Sequence, residues 1–197
     1  MSEKKIPDDP IACFSGTVVI VDTNAERRQA LARAWANPGV HVVCAGWGMD
    51  IGEQAQYMDA VTSSGAVARC VAENEASNFV KSVMDDFAHI DLIFIQIESA
   101  ETPKNQKARD WLKAVLPHLK KGRPHGLVGL LRDGDANMPP RAIEQIRESI
   151  GAIPRRPLIV DMPRWEKNPQ VWSEEALERV KSELAKQTSK KPQAEDV

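Results

Sequence analysis

A regular alternation of short apolar runs with amphipathic segments constrains this chain more than any other feature. Six runs of six or seven residues predict β-strands, at 17–22, 40–46, 66–72, 91–97, 126–131 and 157–162. Several of these runs are continuously apolar, which is typical of parallel strands that are buried on both faces. Strands that alternate with helices therefore predict an α/β protein with one parallel sheet that helices cover on both sides.

The segments between the strands carry apolar residues at helical spacing. In "NAERRQALARAWA", Leu31 and Trp35 share one side of the helix. The basic residues of that segment are expected largely on the other sides of the helix: Arg27, Arg28 and Arg33. The segment 47–65 is less regular and fits a helix that frays around Gly52, and a last helix is expected with Ser173 as its N-cap.

Composition narrows the possible functions. A length of 197 residues fits one domain, and a net charge of −2 gives no general attraction to nucleic acid. No apolar run approaches the roughly 20 residues of a membrane helix, and the first residues lack the apolar region of a signal peptide. The three cysteines form no C-x-x-C pair and the four histidines are far apart, so no metal site is expected. We expect a cytoplasmic protein with a single domain at 15–187 between flexible tails at 1–14 and 188–197, without nucleic-acid or membrane partners.

Several stretches together resemble a short-chain dehydrogenase/reductase. "GTVVIVDTNAERRQALARAWANPGVHVVCAG" is similar to the first strand, helix and second strand of that family, and "FAHIDLIF" is similar to the stretch that leads into its fourth strand. "LKAVLPHLKKGRPHGLVGLL" resembles the helix and strand that follow. The resemblance covers roughly residues 15–162. It implies a Rossmann-like, doubly wound parallel sheet of about six strands in the order 3-2-1-4-5-6.

The residues that hold the dinucleotide cofactor in that family are replaced in this chain. The positions of its three glycines hold Asp22, Glu26 and Arg28, and two carboxylates there would repel a pyrophosphate, whereas Arg28 can attract a phosphate. The other positions that the family uses for the cofactor are degenerate as well: Trp47, Val71, Gln96 and Glu98. We therefore expect no cofactor, with residual NAD(P) binding as the alternative.

The catalytic residues that the resemblance implies are missing too. The family uses a tyrosine as acid/base, but the single tyrosine, Tyr57, precedes the third strand. The stretch after the fifth strand begins with Arg132 and Asp133 and contains no serine. Family-type hydride transfer is therefore not expected. A relocated active site would use Glu98, Arg132 or Asp133 at the carboxyl edge of the sheet. Glu98 and Glu101 could form a general-base pair there, but solvated loop carboxylates are the simpler interpretation. The stretch with Arg132, Asp133 and Asp135 could bind a cation, but a turn at Gly134 is favoured.

A second resemblance is to a response-regulator receiver domain. Asp22 would then belong to its metal-binding acidic cluster, but its phosphoacceptor aspartate would be Gln96, which cannot form an acyl phosphate. About 25 extra residues between the second strand and the acceptor strand also stay unexplained, whereas the dehydrogenase-like interpretation assigns them to a third strand and its helix. The dehydrogenase-like interpretation is preferred. For Asp22 itself, helix capping beside Thr23 and Asn24 is favoured over metal binding.

Tryptophans and helix surfaces suggest how such a protein would act. Trp47 and Trp165 follow the second and sixth strands, where closing a vacant crevice is favoured over forming an aromatic platform for a ligand. Trp111 fits a helix face that packs on the sheet. An exposed Trp111, or an apolar stripe of Ile143, Ile146 and Ile150, would instead suit a homodimer or another protein partner, through the helices at 103–119 and 139–150. The preferred hypothesis is a non-catalytic interaction or regulatory module. The alternatives are an NAD(P)-dependent oxidoreductase with a non-standard site and a pseudo-receiver signalling domain.

Overall fold

A computed structural model describes residues 14–46, 49–73, 75–97, 105–120, 126–132, 158–165 and 168–189. Within these ranges the strands are β1 (Gly16–Val21), β2 (Val40–Ala45), β3 (Val67–Val71), β4 (Leu92–Ile97), β5 (Leu127–Arg132) and β6 (Leu158–Asp161). The α-helices are α1 (Ala25–Trp35), α2 (Ile51–Thr62), α3 (Ala76–Met84), α4 (Asn105–Val115) and α5 (Pro169–Ser189). No helix of the described ranges is both long enough and apolar enough to cross a membrane.

The six described strands form one parallel sheet in the order β3-β2-β1-β4-β5-β6. This confirms the predicted doubly wound, Rossmann-like order, with strand ends shifted by about one residue from the apolar runs. The strand β3 pairs with β2 from His41 opposite Val67 to Ala45 opposite Val71. A receiver domain has no such third strand outside its second one, so the receiver interpretation is wrong.

Two apolar clusters cover the two faces of the sheet. On one face, α1, α2 and α5 contribute buried side chains that include Leu31, Tyr57 and Trp172. On the other face, α3 and α4 contribute Phe79 and Trp111. The two layers explain why the inner strands β1, β4 and β5 are almost continuously apolar, since both of their faces are covered.

The burial of Trp111 confirms that its helix face packs on the sheet. Its side chain is only 2% exposed and packs edge-on against Phe79, with ring centroids 5.0 Å apart. Trp111 also lies on the apolar stripe of α4 with the buried Leu112 and Val115. Its ring belongs to the core of the chain and offers no surface to a partner.

Side-chain caps fix the helix starts, and two of them differ from the prediction. In α2, Asp50 and Glu53 form a reciprocal capping box, so this helix is regular from Ile51 and does not fray around Gly52. The helix α5 begins at Pro169, where the Asn168 side chain accepts the first amides. Ser173 therefore lies inside α5 and is not its cap; its hydroxyl donates to the carbonyl of Gln170.

A buried carboxylate, Asp91, organises the amino-terminal edge of the sheet. It accepts a hydrogen bond from the Thr17 amide at 2.9 Å and lies 3.1 Å from the Lys120 ammonium. The Asp91 side chain also approaches Gly16 so closely that any Cβ at that position would overlap it. Asp91 thus joins β1 to β4 at the edge opposite the candidate site.

Candidate functional site

The strand order reverses between β1 and β4, at their carboxyl ends. The chain runs from β1 outward to β2 and β3, and from β4 outward to β5 and β6. Open α/β sheets bind their ligands in the crevice at such a switch point. In this chain the crevice is bordered by the connector from Asp22 to Asn24, the first turn of α1 and the end of β4.

A buried ion pair fills the start of α1. The Asp22 carboxylate accepts two hydrogen bonds from the Arg27 guanidinium, from Nε at 2.5 Å and from Nη2 at 2.7 Å, and a third from the Asn24 amide at 2.9 Å. Both charged side chains are fully buried. A helix N-terminus favours an anion, and here the anion is a carboxylate of the chain itself.

The structure corrects the role predicted for Asp22. The residue that caps α1 is Asn24, whose side chain accepts from the Arg27 amide at 2.9 Å. Asp22 lies two residues earlier and turns its carboxylate toward the Arg27 side chain. The three-residue connector begins the helix immediately after β1, so Glu26 and Arg28, two of the three positions aligned with family glycines, already lie inside α1.

The arginines of the first turn were also misplaced by the prediction. Arg27 is 0% exposed and Arg28 is 4% exposed, while Glu26 is exposed to solvent. Arginine is unfavourable beside the positive end of a helix dipole. Two arginines in the first turn of one helix therefore indicate that a carboxylate lies nearby to compensate their charge. Asp22 is that carboxylate for Arg27.

A polar bridge joins the connector to β4. The Gln96 side-chain oxygen accepts from the Thr23 amide at 2.8 Å and from the Thr23 hydroxyl at 2.6 Å. These residues follow the last paired positions of β1 and β4, where Val21 lies opposite Ile95. The bridge therefore spans the opening between the two strands at the switch point.

Arg28 extends from the ion pair toward β2 and β3. Its Nη1 donates to the backbone carbonyl of Asp22 at 2.9 Å. Burial raises the pKa of the Cys44 and Cys70 thiols, and the positive charge of Arg28 offsets only part of that increase. Both thiols, which lie opposite each other in β2 and β3, are therefore neutral near pH 7.

The remaining groups beside Arg28 have structural roles. The Tyr57 hydroxyl donates to the Val42 carbonyl at 3.1 Å, and burial raises the pKa of this phenol well above its usual value. Cys44 is fully buried, whereas Cys70 is partly exposed. A tyrosine held in this way under β2 cannot act as acid/base at the switch point.

The other predicted site residues divide into described and undescribed ones. Val71 is buried at the end of β3, and its carbonyl accepts from the Gly46 amide at 2.7 Å. Arg132 ends β5, and the structure describes its backbone only. Several positions lie outside the described residues: Trp47, Glu98, Glu101, Asp133, Asp135 and the segment 139–150.

Trp165 lies at the carboxyl edge after β6, where it packs edge-on against Trp172 with ring centroids 4.9 Å apart. The Trp172 indole in turn donates to the Pro163 carbonyl at 2.9 Å. This contact packs Trp165 against the apolar cluster on the face that α5 covers.

In the part of the chain that the structure describes, no three His, Cys, Asp or Glu side chains are placed to hold a metal ion.

Comparison with known proteins gives similarity in structure but not in sequence. No family model matches the sequence, and no curated protein sequence matches it either. A short-chain dehydrogenase from Oenococcus oeni superposes with a TM-score of 0.61 over 89% of this chain and 90% of its own, at 10% identity. A Pseudomonas syringae structure assigned as a short-chain dehydrogenase gives a TM-score of 0.50 over 77% of this chain and 76% of its own, at 15% identity.

The chain has the fold of the short-chain dehydrogenases/reductases. This confirms the fold that the sequence resemblance implied. An NAD+-bound xylitol dehydrogenase is also similar, at 20% identity and a TM-score of 0.46, and this chain spans 62% of its length. Identities of 10–15% establish the fold alone, because one fold supports many functions.

Proposed function

We propose that this protein is a non-catalytic interaction or regulatory module, built on a dehydrogenase fold whose dinucleotide site an internal ion pair has replaced. The observation that carries the proposal is the Asp22 carboxylate at the start of α1, fully buried and bound by Arg27 and the Asn24 amide. In a dinucleotide-binding protein of this fold, that helix end faces the pyrophosphate.

The buried Asp22 carboxylate should lower the affinity for a dinucleotide by an amount that electrostatics estimates. A pyrophosphate at the start of α1 would either lie beside the Asp22 carboxylate or displace it from Arg27. Breaking a buried ion pair costs about 3–5 kcal/mol, and each 1.4 kcal/mol lowers affinity about tenfold. A dinucleotide that depends on this helix end would therefore lose roughly two to four orders of magnitude in affinity.

Two further features support a non-catalytic role. The Thr23–Gln96 bridge spans the opening between β1 and β4, where a cofactor would cross the sheet. The only tyrosine of the sequence is bound to the Val42 carbonyl, on the face covered by α1, α2 and α5. Hydride transfer with a phenol as acid/base has no candidate residue in this chain.

The proposed mode of action is contact with a second copy or another protein, through the helices at 103–119 and 139–150. Because Trp111 is buried, the contact would use the outward side of α4, where Asp110 and Lys113 are exposed. Such a surface would give a polar contact, of the kind common in reversible interfaces.

Calorimetric titration with NAD⁺, NADH, NADP⁺ and NADPH tests the proposal. We expect no saturable heat up to millimolar cofactor. The variant Asp22→Asn, checked for folding by circular dichroism, removes the competing charge and should bind at least tenfold better than the native chain. Saturable micromolar binding by the native chain would contradict the proposal and support an NAD(P)-dependent oxidoreductase with a relocated active site.

A further inference from the structure

Cys44 and Cys70 form a pair across two neighbouring strands. They lie directly opposite each other in the parallel register of β2 and β3, with paired residues on both sides of them. Opposite residues of parallel strands point to the same face of a sheet, and both cysteines belong to the apolar packing under α1, α2 and α5. Both thiols are free. The spacing in the sequence does not reveal this pair, because only the strand order brings the two residues together.

The geometry of the sheet keeps the two thiols side by side without joining them. Neighbouring strands lie about 4.7–4.9 Å apart, whereas the two Cβ atoms of a disulfide are about 3.8 Å apart on average. The paired residues before and after the cysteines hold both strands in place, so the two Cβ atoms cannot approach each other freely. The pair is therefore better suited to hold one atom between its sulfurs than to close a disulfide.

The charged groups around the pair favour a thiolate complex with a monovalent cation. The Arg28 guanidinium acts on both thiols and lowers the pKa of each, although the effect of burial is larger. Two thiolates that share one monovalent cation carry one net negative charge, which the positive charge of Arg28 would neutralise. The nearby Asp22 and Arg27 form an ion pair with each other, and burial keeps the Tyr57 phenol protonated by raising its pKa.

Cys70 provides the access to the pair. It is partly exposed on β3, the last strand of the described sheet on that side, whereas Cys44 is fully buried. Gly46 follows β2, and a Cβ at that position would lie 3.5 Å from the Cβ of Cys70. Because glycine has no side chain, it leaves this side of Cys70 uncovered. We therefore expect an ion from solvent to bind Cys70 first and then Cys44.

We propose that Cys44 and Cys70 form a two-coordinate site for a soft monovalent metal ion, Cu(I), between β2 and β3. Thiolate sulfur is the ligand that such soft cations prefer. Binding breaks the two S–H bonds and forms two S–Cu bonds, the two protons pass to solvent, and no electron is transferred. Zn²⁺ takes four ligands in structural sites, so two thiolates favour Cu(I). The site goes beyond the proposed function and does not depend on it.

Competition with a colorimetric Cu(I) chelator tests the site, in the full chain, without oxygen and with all thiols reduced. The native chain and Cys13→Ser should each bind one Cu(I) per chain with the same affinity. Cys44→Ala and Cys70→Ser should each bind more than about 100-fold more weakly, because the loss of a ligand exceeds the effect of changing a residue around the ligands. Cys70 is partly exposed, so Cys70→Ser preserves the test if Cys44→Ala fails to fold.

Arginine variants test the charge beside the site. Arg28→Met should weaken Cu(I) binding about tenfold, and Arg28→Lys should restore it because the charge is kept. Arg33→Met, which changes an exposed arginine of α1, should have no effect. Equal affinities in all three variants would refute the role of Arg28.

Four results would overturn the site itself. The first is an unchanged affinity in Cys70→Ser, and the second is a loss of binding in Cys13→Ser, which would place the ion at another thiol. The third is dimerisation on addition of Cu(I), measured by light scattering, which would mean that thiols of two chains share the ion. The fourth is binding of Zn²⁺ as tight as that of Cu(I), which would contradict a two-coordinate site.

Discussion

The ion pair between Asp22 and Arg27 makes the sharpest test of how this site is built. In Asp22→Ala the Arg27 guanidinium stays buried but loses both of its hydrogen bonds to the carboxylate. The Asn24 amide loses its acceptor in the same variant. The change therefore removes one partner of a fully buried pair and leaves the other partner in place.

The expected loss follows from these three contacts. Hydrogen bonds to charged groups contribute about 1.5–3 kcal/mol each, and breaking a buried ion pair costs about 3–5 kcal/mol. We expect the free energy of unfolding to fall by about 4 kcal/mol, a large part of the roughly 5–15 kcal/mol of a typical domain. With a urea m-value of about 2.5 kcal/mol/M, the unfolding midpoint falls by roughly 1.6 M.

Urea denaturation followed by circular dichroism measures the loss, and three further variants interpret it. Glu26→Ala removes the neighbouring exposed carboxylate and should change stability by less than about 1 kcal/mol. Arg27→Met and the double variant complete a thermodynamic cycle. The double variant should be more stable than Asp22→Ala, because it no longer buries a guanidinium that has lost its carboxylate.

Two results would refute this account of the ion pair. One is a loss below about 1 kcal/mol in Asp22→Ala, which would mean that water reaches Arg27 and replaces the carboxylate. The other is additivity of the two single changes, which would mean that the two side chains stabilise the fold independently.

Two further predictions concern the interior. Burial raises the pKa of the Cys44 thiol above its usual 9.0, so the thiol of the unfolded chain loses its proton at a lower pH than that of the folded chain. The free energy of unfolding should therefore fall above about pH 9, by about 1.4 kcal/mol per pH unit. Urea midpoints measured between pH 7 and 11 should decline less steeply in Cys44→Ala. Gly129→Ala places a Cβ 2.6 Å from the Phe94 ring and should destabilise the sheet by about 1–3 kcal/mol in the same assay, and a neutral effect would show that Phe94 can move aside.

The sheet was predictable because its signal is local and repeated. Each strand is a continuous apolar run, and each connecting helix carries an apolar stripe, so sequence periodicity alone gives six strands in parallel. The helical spacing also placed Trp111 on the face of α4 that packs on the sheet, where the structure has it.

The ends of the helices were less predictable because several residues compete for each cap. Asp22, Thr23 and Asn24 are all good capping residues, and the choice among them depends on where the helix begins relative to the sheet. Asn24 caps α1 because the helix starts three residues after β1. The same competition placed the start of α5 at Ser173 instead of Pro169.

The site required tertiary information that periodicity does not contain. A helical wheel treats Arg27 and Arg28 as residues of the polar side, because it assigns burial by apolarity alone. In the structure, the short connector brings the first turn of α1 against the carboxyl edge of the sheet, and both arginines become buried. The Asp22 carboxylate lies at the positive end of that turn and pairs with Arg27. The start of α1 therefore holds a carboxylate of the chain itself, at the helix end where this fold otherwise receives the phosphates of a dinucleotide.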